Sequence, residues 1–434
     1  MGCYFGNSMP TTATLLRRAK QNSRKDMLLS AFAAFLTYFC MYGYRKAIGA
    51  GTYDGLSALG ISFKSALIIF QVLGYMSAKF IGIPFIASLK NDKRTLYILL
   101  LISMAHLSLL LMALIPLPYN VLLLFINGLG LGLIWGLVFS FIEGRRQTDF
   151  IALMLSINFI FSSGVIKTIG LYLIYNWNIP EINMPFAVGC IFFPLLIVSL
   201  LLLNKVPPPT DEEKKERGIR TPITAHQRVE LFRLFMPGLI CIISINLLLT
   251  ILREIKDNYS VEIINSIRPN SAPSIFTLME SLSALVVLIF LISLSGLRNH
   301  IRSLLRQHLV IISGFLAISI CTVMLYFGKG DPISLLVLFT IGLYLSYNTL
   351  QCLFFERFVA AFKVRGNTGF FFYLMDSIAY LGSCFLILNK ELNHTTTGWL
   401  TYFIGLGILF GILGTLITLF SWNYFNNKYA AQNT

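Results

Sequence analysis

Two arginines set 208 residues apart are the side chains in this chain best placed to do chemistry. The run Tyr38-Phe39-Cys40-Met41-Tyr42-Gly43-Tyr44-Arg45-Lys46 closes an apolar segment that starts near Met27. A cation held at the centre of a bilayer costs roughly 2.5 to 3.5 kcal/mol on the insertion scale, so a chain that keeps one there usually uses it. Positions i, i+4, i+7 and i+11 share a helix face, which here carries Tyr38, Tyr42, Arg45 and Gly49. Adding 208 to each gives Asn246, Thr250, Arg253 and Asp257, a second polar stripe with arginine at the same depth. Duplicated halves with one site between them predict this pattern, with both guanidiniums facing a shared cavity. The competing reading is that Arg45 and Arg253 snorkel to headgroups. The polar residues one and two turns before each arginine favour the cavity.

Other intramembrane cations extend the candidate site. Lys79 lies beside Gln71 and Tyr75, next to the small-residue row Gly74, Ala78 and Gly82 that admits a close neighbour. It lines the substrate path or bonds to carbonyls or a partner acid in the bundle, and its own half offers no evident acid. Lys46 and Lys167 complete the cations of the first half, whereas the second half sets Arg253 and Lys256 against Glu254, Asp257, Glu280 and Asp376. Asp257, one turn beyond Arg253 on the same face, is within pairing reach of it, and a paired Arg253 would be a gate or a structural strut rather than a free anion binder. Asp376 and Glu280 read either as proton carriers or as satisfied partners of Lys167 or Lys256. Thr340, Tyr344, Asn348 and Gln351 line one face of the tenth span with neutral hydrogen-bonding groups. A cavity positive on one wall and mixed on the other fits an anion or a zwitterion, and guanidinium forks favour phosphate or carboxylate.

The elements that must position these groups follow from composition. With 56% hydrophobic and 12% charged residues in 434, the chain reads as an all-α polytopic membrane protein. Twelve spans of about 20 residues or more are expected. They are Met27 to Ala50, Ile61 to Ala87, Thr95 to Ile115, Tyr119 to Ile142, Phe150 to Tyr175 and Met184 to Leu203, then Phe232 to Val261, Pro273 to Gly296, Leu305 to Phe327, Ile333 to Phe355, Thr368 to Leu388 and Gly398 to Phe425. Residues 1–26 form an N-terminal tail, 27–203 a first six-helix bundle, 204–231 a charged linker, 232–425 a second bundle and 426–434 a C-terminal tail. Of the 34 Lys and Arg residues, 24 fall on segments that share one side, while the opposite loops hold only Arg268, Lys329 and Lys390. That asymmetry places both termini and the linker in the cytoplasm, and suits a bacterial inner membrane. It also explains the net charge of +15 without a nucleic-acid partner. Seven cysteines without a CxxC spacing and five scattered histidines suggest neither a disulfide framework nor a metal site, and no cofactor is called for.

The run Tyr42 to Lys46, followed by Gly74-Tyr75-Met76-Ser77-Ala78-Lys79-Phe80-Ile81-Gly82, resembles the first two helices of the organophosphate:phosphate antiporters of the major facilitator superfamily. Leu252-Arg253 is similar to that family's seventh-helix arginine, Phe276 to Glu280 to its eighth-helix run, and Gly369 to Leu374, with Tyr373, to its eleventh. The resemblance covers the twelve-helix layout as short islands. It implies a carrier in which Arg45 and Arg253 hold the phosphoryl group and Lys79 takes the place of the second-helix lysine. The chain departs from the family at Asn158-Phe159, where a histidine is missing, and in the acids Glu254, Asp257 and Asp376.

The sequence therefore predicts a secondary active transporter of a small organic anion, a phosphate ester or related polar metabolite, working as a monomer by alternating access. Arg45, Arg253, Lys79, Tyr38, Tyr42, Tyr75 and Tyr373 are the expected substrate contacts. Lys46, Asn158, Lys167, Asn246, Asp257, Glu280 and Asp376 are expected to support or couple them. Inorganic phosphate or protons are the coupling species expected. The alternatives are a proton-coupled symporter of a carboxylate or zwitterion, and a non-transporting membrane sensor on a carrier scaffold. An enzyme would need a nucleophile or metal constellation that the sequence does not display.

Overall fold

Lipid cannot hydrogen-bond a backbone, so a chain this apolar closes its N–H and C=O groups within helices. The computed structural model describes residues 12–88, 93–141, 148–206, 225–295, 299–364, 369–393 and 398–433. The central part of the predicted linker, residues 207–224, lies outside the described residues. The first half comprises α1 (Thr12–Lys46), a hairpin of β1 (Ser57–Ala58) and β2 (Ile61–Ser62), α2 (Phe63–Ser88), α3 (Arg94–Leu114), α4 (Leu123–Gly132), α5 (Ile134–Phe139), α6 (Thr148–Trp177) and α7 (Met184–Asn204). The second comprises α8 (Ala225–Leu234), α9 (Met236–Asn258), α10 (Ser260–Ile267), α11 (Ser274–Ser295), α12 (His300–Tyr326), α13 (Pro332–Asn348), α14 (Phe355–Phe362), α15 (Gly369–Leu392) and α16 (Trp399–Asn433).

Among the described residues, eleven helical stretches are long and apolar enough to cross a membrane. The remaining predicted span falls on α15, whose 24 residues carry Asp376. At 1.5 Å per residue that is about 36 Å, enough to cross. Exposed Leu100, Leu107, Ile289, Leu416 and Phe420 face outward, while arginine, lysine and acid side chains lie inside. That is the arrangement expected where lipid is the solvent.

Several predicted boundaries move. Helix α1 starts at Thr12, not Met27, so much of the predicted polar tail is helical backbone. The seventh span is broken twice. Pro237 occupies the first turn of α9, where its missing N–H costs nothing, and the chain breaks again at Tyr259 before α10. The tenth span continues past Phe355, through a π-helical segment (Thr349–Phe354), to the end of α14. Helix α16 runs on to Asn433, through the predicted C-terminal tail.

Each half packs around its glycines. A Cβ on Gly74 of α2 would sit 2.0 Å from Phe125 O, and one on Gly128 of α4 would sit 2.0 Å from Gln71 O, so these backbones touch directly. Ala78 continues the contact against Gly132, as the small-residue row predicts. Between the halves, α6 packs on α11 and α2 on α15. The α6–α11 approach passes through Gly164, where a Cβ would lie 2.5 Å from Phe276 O. The result is an all-α bundle of two packed halves, with the charged residues at the seam.

Candidate functional site: a buried charge network between the halves

Both arginines turn inward and meet. Arg45 is 5% exposed and Arg253 4%, which excludes the snorkelling alternative. They meet on a third residue. Glu254 Oε1 lies 2.7 Å from Arg253 Nη2 and 3.6 Å from Arg45 Nη2. Its Oε2 accepts from Asn258 Nδ2 at 3.1 Å.

Aromatic rings wall this triad from both halves. The Arg45 guanidinium lies 4.0 Å from the centre of the Tyr75 ring, and that of Arg253 4.5 Å from Tyr347. Arg253 also donates to the Tyr380 hydroxyl at 3.2 Å. Tyr38 and Tyr42 stack edge-on with Phe159 behind the arginines, and Tyr38 Oη has no hydrogen-bond partner among the described residues. Rings here exclude water while their faces favour the cations.

Two further charged layers flank the arginines along the helix axes. Toward the termini, Lys79 of α2 bonds to Asp376 of α15, and its ammonium lies 4.9 Å from the Tyr380 ring. Gln351 ties Asp376 to Asn246 with 2.9 Å bonds to each. Toward the far face, Asp257 Oδ2 accepts from Lys46 at 3.2 Å and from Tyr344 at 2.9 Å. Lys256 bonds to Glu280 and approaches Asp257 Oδ1 at 3.6 Å. Lys167 is fully buried beside this layer, and its ammonium has no hydrogen-bond partner among the described residues.

Beyond the layers, the far face is closed. Lys64 pairs with Glu262 at 2.6 Å, Ser65 meets the Tyr259 hydroxyl at 2.6 Å, and Glu391 accepts from Ser62 N and Ser65 Oγ at 3.0 and 2.9 Å. Each of these contacts joins the first half to the second. Burial holds the Glu262 carboxyl above the ordinary carboxylate range despite the pull of Lys64.

Several expectations need correction. Asp257 pairs with Lys46 and Lys256 rather than with Arg253, because α9 directs it toward α1 and α13. Glu280 answers Lys256, one of the partners expected for it, though within its own half, while Asp376 answers Lys79 rather than Lys167 or Lys256. Asn158 stands apart from the charged layers. It donates to Phe35 O at 3.1 Å and accepts from Ser162, bracing α6 against α1. The side chain of Tyr373 lies outside the described residues. On the tenth-span face, Tyr344 and Gln351 join the network, whereas Thr340 bonds to Leu336 O of its own helix. Tyr347, Tyr380 and above all Glu254 belong to the network although the sequence did not single them out as contacts. The available signal for Glu254 was its being an acid beside Arg253 where the resembled family leads one to expect none.

The chain matches a family model over residues 47–428, described as a family of unknown function, DUF5690. It belongs to that family. Among curated proteins none matches. Solved structures show the same architecture at low identity. The nucleoside transporter NupG superposes with a TM-score of 0.60 at 16% identity, over 92% of this chain and 98% of that one. The xylose transporter XylE from E. coli, in an inward open conformation, gives 0.59 at 13% identity, over 91% and 95%. A POT family transporter in complex with a thioalcohol-conjugated peptide gives 0.56 at 15%, over 90% and 94%. These likenesses show that the chain has the major facilitator fold, and the eleven long apolar helices among its described residues mark it as an integral membrane protein.

Proposed function

We propose that this protein is a secondary transporter that carries a small organic anion by alternating access of its two halves. The observation that carries this reading is the convergence of Arg45 and Arg253, one from each half, on a single carboxylate at the seam. Two guanidiniums that clasp a carboxylate have the geometry to clasp a substrate carboxylate or phosphate. The charge balance agrees. Six basic side chains (Arg45, Lys46, Lys79, Lys167, Arg253 and Lys256) face four acids (Glu254, Asp257, Glu280 and Asp376) across the three layers, so that even with the unpartnered Lys167 set aside the five others outnumber the acids by one and leave positive charge for an anion to answer.

The cation-to-acid pairs also supply a route to movement. Arg45–Glu254, Lys46–Asp257 and Lys79–Asp376 each join the first half to the second, so the halves cannot part along the seam without exchanging partners. A substrate anion offers the freed cations an alternative partner, which lowers the cost of separating buried ions. The neighbouring folds support a solute carrier, since their titles name transporters of nucleosides, xylose and peptides. The resemblance to organophosphate:phosphate antiporters makes phosphate esters the first ligands to try. The cation-rich loops on the side of the termini support a cytoplasmic placement for both ends.

The test is a thermal-shift panel on purified protein with organophosphates, inorganic phosphate, carboxylates, amino acids and neutral sugars. Anions should stabilise the protein increasingly with the logarithm of their concentration above Kd, by about 2.7 kcal/mol at a hundred times Kd. Arg45→Ala and Arg253→Ala should each abolish the shift. Stabilisation by neutral sugars or cations alone would overturn the anion assignment. Anion-driven counterflow in proteoliposomes separates a carrier from a sensor, which would bind without flux.

A further inference from the structure

Both proposed anion-binding groups are already engaged by an acid that belongs to the chain. Glu254 is 2% exposed, and its two carboxylate oxygens are held by Arg253, Arg45 and Asn258 at 2.7, 3.6 and 3.1 Å. A carboxylate tethered next to Arg253 in sequence competes at an effective concentration on the order of millimolar or above. A free anion at lower concentration cannot take the two guanidiniums while Glu254 remains ionised and in place.

We propose that Glu254 is an internal counter-ion which the transported anion displaces, and that the displaced carboxylate takes up one proton, so that anion and proton move together. This rests on the anion-carrier reading above and adds its coupling species.

The surroundings decide the fate of the displaced carboxylate. On its own helix Glu254 has Arg253, Lys256, Asp257 and Asn258; α1 presents Arg45 and Lys46, α2 presents Tyr75 and Lys79, α13 presents Tyr344 and Tyr347, and α15 presents Tyr380 and Asp376. Lys46 is committed to Asp257, Lys256 to Glu280 and Asp257, and Lys79 to Asp376. Lys167 of α6, which has no hydrogen-bond partner among the described residues, faces Asp257 and Glu280 in the far layer rather than Glu254. Once an anion holds Arg45 and Arg253, no uncommitted cation beside Glu254 on α1, α2 or α9 remains for it. It would be an ionised carboxylate in a nearly dry site, close to Asp257 and to the new anion. Desolvation and like charge both favour its neutral form. The proton comes from water on the side to which the site is open. It leaves when the anion departs and the guanidiniums return to Glu254.

Linkage makes the consequence reciprocal. If anion binding raises the proton affinity of Glu254, protonation raises anion affinity by the same factor. With one proton taken up per anion, affinity rises about tenfold for each pH unit of acidification within the coupled range.

The experiment measures binding of sulfate and of inorganic phosphate to the full-length protein between about pH 5 and 8, where sulfate keeps its charge and carboxyl groups of ordinary or raised pKa titrate. Calorimetry in buffers of different ionisation heat counts the protons exchanged. Wild type should bind sulfate about tenfold more tightly per pH unit of acidification over part of this range, with uptake of close to one proton. Glu254→Gln should bind more tightly than wild type at neutral pH, with no proton uptake and a flat profile. Sulfate or phosphate binding to wild type with no pH dependence and no proton uptake overturns the coupling and leaves the anion carrier standing. A Glu254→Gln protein that keeps the wild-type slope also overturns it. Failure of both proteins to bind either ion overturns the two readings together. The proton count on wild type decides the matter even if the variant fails to fold.

Discussion

Lys79 and Asp376 show how much a single buried charge matters in this seam. They come from different halves and bond directly, with side chains 12% and 8% exposed. Removing one partner strands the other, which in buried pairs costs about 3 to 5 kcal/mol, whereas removing both is far milder. Lys79→Ala and Asp376→Ala should each lower the melting temperature markedly, and the double variant should recover most of the loss. Additive losses in that cycle would show that the two groups do not depend on each other. Some of this was legible beforehand, since Lys79 stood out as a cation with no acid in its own half. Its partner was not, because Asp376 lies 297 positions away. The partner of Arg253 stayed open in the sequence for a local reason. Residues i and i+1 point about 100° apart on a helix, so Asp257 at i+4 is the acid that spacing puts within reach of Arg253. The long arginine side chain bends back to Glu254, and Arg45 arrives from α1 to share it.

At the scale of elements, glycines decide how closely helices meet, and the two kinds of crossing should respond differently. Gly74 joins α2 to α4 inside one half, whereas Gly164 joins α6 to α11 across the seam. Gly74→Ala is expected to lower the stability of the whole protein, because the Phe125 carbonyl stands 2.0 Å from the new methyl and belongs to a rigid backbone. Gly164→Ala, 2.5 Å from Phe276 O, should instead push the halves apart at the far face. Val261, 1% exposed next to Glu262, is a suitable reporter. Thiol labelling of Val261→Cys from the far side should be faster with Gly164→Ala than without it. Equal labelling rates would mean that the crossing is not what holds that face shut. The row Gly74, Ala78 was readable in sequence as a packing stripe, but the partner helix of Gly164 was not.

For the whole molecule, the far-face seal should respond to pH through Glu262. Burial raises its carboxyl above the ordinary value in the closed state, and an opened face returns it to water. The closed state therefore binds the proton more tightly, so acidification favours closure. Raising the pH through the interval between the ordinary carboxylate value and the raised one should weaken the seal, even though Lys64 pairs with the ionised form. Labelling at Val261→Cys should accelerate across that interval, and Glu262→Gln should remove the dependence. Acceleration on acidification would instead make the Lys64 pair the dominant contribution.

The sequence by itself determined the membrane class, the spans to within several residues and the two arginines at matching depth. Apolar length and a period of 3.6 act locally, and a duplicated stripe can be read from spacing alone. Only the tertiary structure decided which carboxylate each cation meets, that Glu254 stands between the arginines, and that Asn158 is a brace. Ion pairs at the seam are chosen by helices that come together from distant parts of the chain, and the direction of a long side chain is set by the neighbours it finds there.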